Sequence, residues 1–167
     1  MNTEDHEKKL VNNIPFAVVT VSDTRMPDND GSGKVIIDSL RKAGHRVLDY
    51  RIVPDDDGEI RHAVFAGVEH NEIKAIIVNG GTGISSRDVT IETVLPMLEK
   101  RLDGFGEYFR YLSYREIGGR GIMSRATGGV VMKKVILCIP GSTKAVILAM
   151  DKIIIPQIGH MVWEASR

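Results

Sequence analysis

Short, unbroken apolar runs alternate along this chain with segments whose apolar residues recur at three- and four-residue steps. Phe16-Ala17-Val18-Val19-Thr20-Val21 is continuous and rich in β-branched residues, which predicts a strand buried on both faces. Residues 34–43 follow, with Ile36, Leu40 and Ala43 at helical spacing and Gly44 as the stop. Leu48, Tyr50 and Ile52 alternate with Asp49 and Arg51, predicting a strand with one wetter face, near a sheet edge. Ile60, Val64, Gly67 and Val68 mark a second amphipathic helix, and Ala75–Val78 a third buried strand running into Asn79-Gly80-Gly81-Thr82-Gly83. Residues 91–113 read as helix interrupted at Asp103-Gly104, the second piece carrying Phe105, Phe109 and Leu112 on one face. The glycines of 114–134 predict an irregular or hairpin insertion. Val135–Ile139 is a fourth buried strand, which Pro140-Gly141-Ser142 turns into a helix with Val146, Ala149, Met150 and Ile153 on its buried stripe. Pro156 is expected to break that pattern, leaving a last helix with Ile158 and Val162.

Alternating strands and helices specify an α/β fold, a mostly parallel sheet with helices on both faces and right-handed crossovers. In such sheets ligands bind outside the carboxyl ends of the strands. With 167 residues, 43% of them hydrophobic, one domain over residues 14–167 can bury its own core. The polar residues 1–13 predict a loose arm.

Lysine plus arginine and aspartate plus glutamate each total 22, so the net charge is zero and no basic patch argues for nucleic acid. The single cysteine, Cys138, excludes an internal disulfide and a multi-cysteine zinc site, and its apolar run predicts an inert core thiol. No apolar run approaches the ~18 residues that span a membrane, and no apolar segment of signal-peptide type follows the polar N-terminus. The expectation is a cytoplasmic protein without membrane partners. The histidines match no metal pattern; His62 and His70 stand eight apart, and His6, His45 and His160 are isolated.

Four predicted strand ends carry small residues, hydroxyls and carboxylates. They are Thr20-Val21-Ser22-Asp23-Thr24, Pro54-Asp55-Asp56-Asp57, Gly80-Gly81-Thr82-Gly83 with Asp88, and Pro140-Gly141-Ser142-Thr143-Lys144. The glycines let backbone N–H groups approach an anion, though a tight turn uses glycine equally. No Gly-Lys-Ser/Thr ends the segment, so it is not a Walker loop, and Ser86 stands where the dinucleotide fingerprint needs a third glycine. Ser142 is either part of a second anion cradle or simply a helix N-cap, and Asp30-Gly31-Ser32-Gly33 resembles it. Asp55 and Asp88 are either solvated loop residues or the one or two carboxylates that a phosphate-bound Mg²⁺ requires.

Taken in order, these segments resemble one family. They include Val19-Thr20-Val21-Ser22-Asp23-Thr24, Val53-Pro54-Asp55-Asp56, Gly80-Gly81-Thr82-Gly83 with Arg87-Asp88-Val89-Thr90, Gly104-Phe105-Gly106-Glu107, Ser124-Arg125 and Pro140-Gly141-Ser142-Thr143-Lys144-Ala145. The chain resembles the MoaB/MogA family of molybdenum cofactor biosynthesis proteins from about residue 15 onward. Its Gly141–Ala145 and Ile155-Pro156-Gln157 segments are closest to the MoaB branch, and Ile91 departs from a common proline.

The resemblance implies a three-layer α/β/α molybdopterin-binding, MogA-like fold, assembled as a homotrimer or hexamer. It implies Mg-ATP-dependent adenylylation of molybdopterin with release of pyrophosphate, and hand-over to a MoeA-type metal-insertion protein carrying molybdenum or tungsten. Residue by residue, it implies Asp88 and Asp55 as catalytic and Mg²⁺-binding, and Gly80, Gly81, Thr82, Gly83, Pro140, Gly141 and Ser142 as the nucleotide-phosphate site. It implies Ser22, Asp23, Ser124 and Arg125 on the pterin side. Some MoaB-branch chains that have lost the aspartate are inactive; this one keeps Asp88. The rival reading is a molybdopterin-binding or scaffold protein without turnover, which has no need of both aspartates. Ile122, Met123, Val130, Val131 and Met132 are expected to be exposed for packing between subunits.

Overall fold

The computed structural model describes residues 11–167, arranged about one six-stranded sheet. The expected arm at 1–13 and His6 fall wholly or mostly outside those residues. Strands β1 (Pro15–Val21), β2 (Arg46–Val53), β3 (Ala75–Asn79), β4 (Lys100–Arg101), β5 (Thr127–Val131) and β6 (Lys134–Ile139) lie in the order β2-β1-β3-β6-β5-β4. The first four in that order run parallel, and β5 and β4 join antiparallel at one edge.

Period-two alternation divides each central strand between two cores. Phe16, Val18, Ile77 and Leu137 face α1 (Gly31–Lys42), α4 (Asp103–Ile117) and a long C-terminal helix. Ala17, Val19, Ile76, Val78 and Cys138 face α2 (Asp57–Glu69) and α3 (Thr90–Val94). The three-layer α/β/α architecture is therefore as expected. Cys138 is fully buried, and burial pushes its thiol far above the ordinary range, so it is inert.

Four local expectations need correction. Residues 91–113 are not one interrupted helix. A short α3 and a 3₁₀ turn (Leu95–Met97) give way to β4, and Asp103-Gly104 begins α4 rather than breaking it. In β2 a bulge opposite Phe16/Ala17 shifts the alternation, so Val47 rather than Leu48 packs with Tyr50 on the α1 side. Val131 is buried, whereas Ile122, Met123 and Met132 are exposed. The glycine-rich insertion does close as a hairpin, β5 onto β6.

The fourth correction concerns Pro156. Helix continues without a break from Thr143 to Ser166 through α5 (Thr143–Ala149), a wide π turn (Met150–Ile154) and α6 (Ile155–Ser166). Val146, Met150, Ile154, Ile158 and Val162 are four apart and all buried. At 3.6 residues per turn, four such steps would carry the row about 160° around the axis. The wide turn, where Ile155 N–H reaches back to the Met150 carbonyl, takes up about 100° of that, roughly one residue's rotation. It also lets the helix pass a residue that has no N–H to donate. This helix is long and apolar enough to cross a membrane by length and composition, but its apolar row is core of the domain.

Candidate functional site

The carboxyl ends of β1, β3 and β6 open into a cleft of about 990 Å³. Ser22 follows β1, Gly80–Gly83 and Asp88 follow β3, and Pro140, Gly141 and Ser142 follow β6; all line it. The opposite wall is the end of α4 with the 3₁₀ turn after it (Ile117, Met123, Ser124), and Lys144 and Lys152 approach from the long helix.

The loop after β3 is bent by Gly80 and Gly81, both in the left-handed region with φ of 101° and 61°. A side chain on Gly81 would strike the Thr90 hydroxyl and come within 2.6 Å of Asp55 Oδ1. Thr90 fastens the loop, its hydroxyl donating to the Gly80 carbonyl at 2.8 Å and its N–H to the Gly81 carbonyl at 2.9 Å. Asp88 accepts from Ser85 N–H at 3.1 Å and stands against Gly83. From behind, Arg125 donates to the Gly83 carbonyl at 2.9 Å and pairs with Glu92 of α3.

Asp55 and Asp23 lie outside the cleft lining, on the adjoining rim. Asp23 accepts from Asp55 N–H at 3.1 Å and from the Arg87 guanidinium. That arginine, with the Asp55 N–H, holds the Asp23 carboxyl below its ordinary range. Burial pushes the Asp55 carboxyl up, and the charges of Asp23 and Asp88 push it further, against the pull of Arg87. Among the described residues, no three histidine, cysteine or acidic side chains are gathered to hold a metal by themselves. Two nearby carboxylates beside a glycine-rich loop do fit Mg²⁺, which takes oxygen ligands and keeps several from water and substrate phosphate.

Beneath the cleft runs a polar chain that the sequence pattern does not announce. Tyr50 OH donates to Asp30 Oδ2 at 2.7 Å, while Ser32 OH and Gly33 N–H donate to Oδ1 at 3.0 and 2.9 Å. Asn79 Nδ2 donates to Ser32 Oγ at 2.9 Å and to Thr20 Oγ1 at 3.3 Å. The N-terminus of α1 is thus filled by the chain's own Asp30, not open to an external anion. Ser142 likewise caps α5, accepting from Ala145 N–H at 3.3 Å, while still lining the cleft. The signals for this floor in the sequence were the Asp30-Gly31-Ser32-Gly33 segment and Asn79, a polar residue closing the apolar run 75–78.

Residues 17–160 match a family model described as "Probable molybdopterin binding domain". The chain belongs to this family. Molybdenum cofactor biosynthesis protein B of Bacillus subtilis is 46% identical over 168 residues, covering 100% of this chain and 99% of that protein. A crystal structure of a molybdenum cofactor biosynthesis protein B superposes with a TM-score of 0.90 at 46% identity, covering 92% of this chain and 96% of the other. The tungsten cofactor synthesizing protein MoaB of Pyrococcus furiosus superposes with a TM-score of 0.85 at 35% identity, covering 94% and 99%.

Within this molybdopterin-binding domain fold, the residues drawn from the resemblance divide into three groups. Ser22, Gly80–Gly83, Asp88, Ser124, Pro140, Gly141 and Ser142 share the cleft. Asp23 and Asp55 form its rim with Arg87. Arg125 stands behind the glycine loop instead of facing the cavity. Arg87 and Glu92 were not among the candidates; only the neighbours that the fold brings to them reveal their part.

Proposed function

We propose that this chain acts in molybdenum or tungsten cofactor biosynthesis by adenylylating molybdopterin with Mg-ATP, releasing pyrophosphate. The observation that carries the reading is the meeting, in one cleft, of a glycine-rich loop, an acidic residue standing against it and a second loop at Pro140–Ser142. In this transfer the terminal phosphate of molybdopterin attacks the α-phosphorus of ATP. The substrate supplies its own nucleophile, so a catalytic serine or cysteine is not required. The chain's work is to align two anions and to offset developing charge.

The Gly80–Gly83 and Gly141–Ser142 backbones orient the triphosphate, with Lys144 at hand as a counter-charge. Ser22 and Ser124 stand at the pterin end, and Arg125 supports the loop from behind. Asp88 and Asp55 would hold Mg²⁺, which when bound neutralises phosphate charge. Assembly as a homotrimer is part of the reading, supported by the exposed Ile122, Met123 and Tyr111. So are cytoplasmic location and hand-over to a MoeA-type protein.

The test is to incubate the chain with molybdopterin, ATP and Mg²⁺ and to detect adenylyl-molybdopterin by mass, with Asp88→Asn beside it. Product from the unaltered chain alone supports the reading. Bound pterin without product moves the assignment to a molybdopterin-binding or scaffold protein.

A further inference from the structure

Three strand-end loops meet at one ion pair. Arg87, on the loop after β3, donates through Nε and Nη2 to Asp23, on the loop after β1. The other oxygen of Asp23 accepts from the backbone N–H of Asp55, on the loop after β2. Arg87 therefore holds Asp23 directly and lies within electrostatic reach of Asp55 and Asp56, and it raises no wall of the cleft itself. We propose that Arg87 is a positioning residue that serves as the internal counter-cation of this rim, tying Asp23 back until a divalent cation with its polyphosphate takes over the carboxylates.

Charge balance is the first argument. Asp55 lies within electrostatic reach of both Asp23 and Asp88, and a resident guanidinium offsets part of that repulsion without a metal. Geometry is the second. Among the described residues no metal-holding set of three is preformed, and Asp23 is turned onto Arg87 and the Asp55 N–H. The third is ease of exchange. The side chains of Arg87 and Asp23 are 66% and 41% exposed, and ion pairs so open to water are held weakly. Once released, a guanidinium on this rim has the planar fork that suits a phosphate. Arg87 thus competes with the cation and cooperates with the nucleotide, so the two affinities respond to its loss in opposite directions.

The inference rests on the Mg-ATP reading of the cleft, and binding measurements separate the two. Mn²⁺ affinity without nucleotide is read by electron paramagnetic resonance, and Mg-ATP affinity by calorimetry, for the unaltered chain, R87M, R87K and R46M. Arg46 stands at the opposite end of the sheet, paired with Glu72, so R46M changes net charge equally far from the rim. R87M is expected to bind Mn²⁺ about five- to tenfold more tightly, the effect of removing one nearby positive charge, and Mg-ATP about tenfold more weakly. R87K should restore part of each change, and R46M should change neither. Mn²⁺ affinity in R87M that equals or falls below that of the unaltered chain, with Mg-ATP still bound by the latter, overturns the role of Arg87 alone. An unaltered chain that binds neither Mn²⁺ nor Mg-ATP overturns both.

Discussion

Arg125 donates to the carbonyl of Gly83 at 2.9 Å from the side of the glycine loop that faces away from the cleft. Its other nitrogen pairs with Glu92 on α3, the helix that begins two residues after Asp88. One side chain thus ties the loop to the helix that follows the acid. Arg125→Met should loosen that loop. We expect a stability loss of about 1–2 kcal/mol, since the guanidinium is 27% exposed. ATP binding should weaken about tenfold, the equivalent of one such hydrogen bond. Calorimetric titration checks it, and an unchanged ATP affinity would count against the tie.

Gly83 is the more local test. Its backbone is in the ordinary region, and the first thing a methyl group there would meet is Asp88 Oδ2, at 2.7 Å. Gly83→Ala should therefore push the Asp88 carboxylate aside while costing less than about 1 kcal/mol of stability. Turnover is expected to fall on the order of 100-fold, the scale of an ångström's misplacement. Full activity in this variant would mean that the position of Asp88 does not matter.

Asp30 is 3% exposed and carries the floor of the cleft. Burial pushes its carboxyl up, but donors from Thr20, Tyr50, Gly33 and Ser32 outweigh that and hold it below the usual carboxylate range. Asp30→Ala loses a helix cap and strands the Tyr50 and Ser32 hydroxyls. The expected cost is about 3 kcal/mol, or roughly 6–12 °C in Tm; Tyr50→Phe should cost about 1 kcal/mol. The sign with pH follows from the lowered folded-state value. The contribution is whole above the unfolded carboxyl's pKa, about 3.8, and is lost as pH falls through the folded one. Urea midpoints from pH 7 to 3 should show the gap between the native chain and Asp30→Ala closing at the acid end.

His45 loses its contribution in the same direction, but in a higher pH window. Its Nδ1 accepts from Ile14 N–H at 3.2 Å, and burial holds its pKa below the ordinary value. The unfolded chain takes up the proton first, so the contribution is full above about pH 6.5 and fades as pH falls below it. The stability difference between the native chain and His45→Gln should narrow from pH 7.5 to 5.5 in urea titrations. An equal difference at both pH values would show that His45 does not bind its proton more weakly in the folded state.

Strands β1, β3 and β6 were legible in the sequence because the sheet buries them on both faces, leaving continuous apolar runs such as 75–78. Gly80–Gly83 and Asp88 were legible because their chemistry is packed into nine residues of chain. Lys100–Arg101 was not, since a two-residue edge strand is defined only by its partner Gly129–Val130. The passage of helix through Pro156 depends on a wide turn that no local propensity favours. The Asp30 chain needs Tyr50, 20 residues away, and joins Ser32 to Asn79 across 47 residues. Arg87 and Asp23 meet across 64. A linear pattern reports which residue types are present, whereas these relations exist only after the sheet has ordered its strands.

The loops after β3 and β6 run back to back. Gly80 N–H donates to the Ile139 carbonyl at 3.0 Å, and a methyl on Gly141 would come within 3.1 Å of Gly80 Cα. Two backbones in van der Waals contact share a seam without side chains to rearrange, so neither can shift while the other stays. The base of the cleft is accordingly a pre-shaped surface, and a guest is selected there by fit. Adaptation to different guests falls to the rim, where Arg87, Met123 and Ile84 stand in water and can be exchanged without disturbing the sheet.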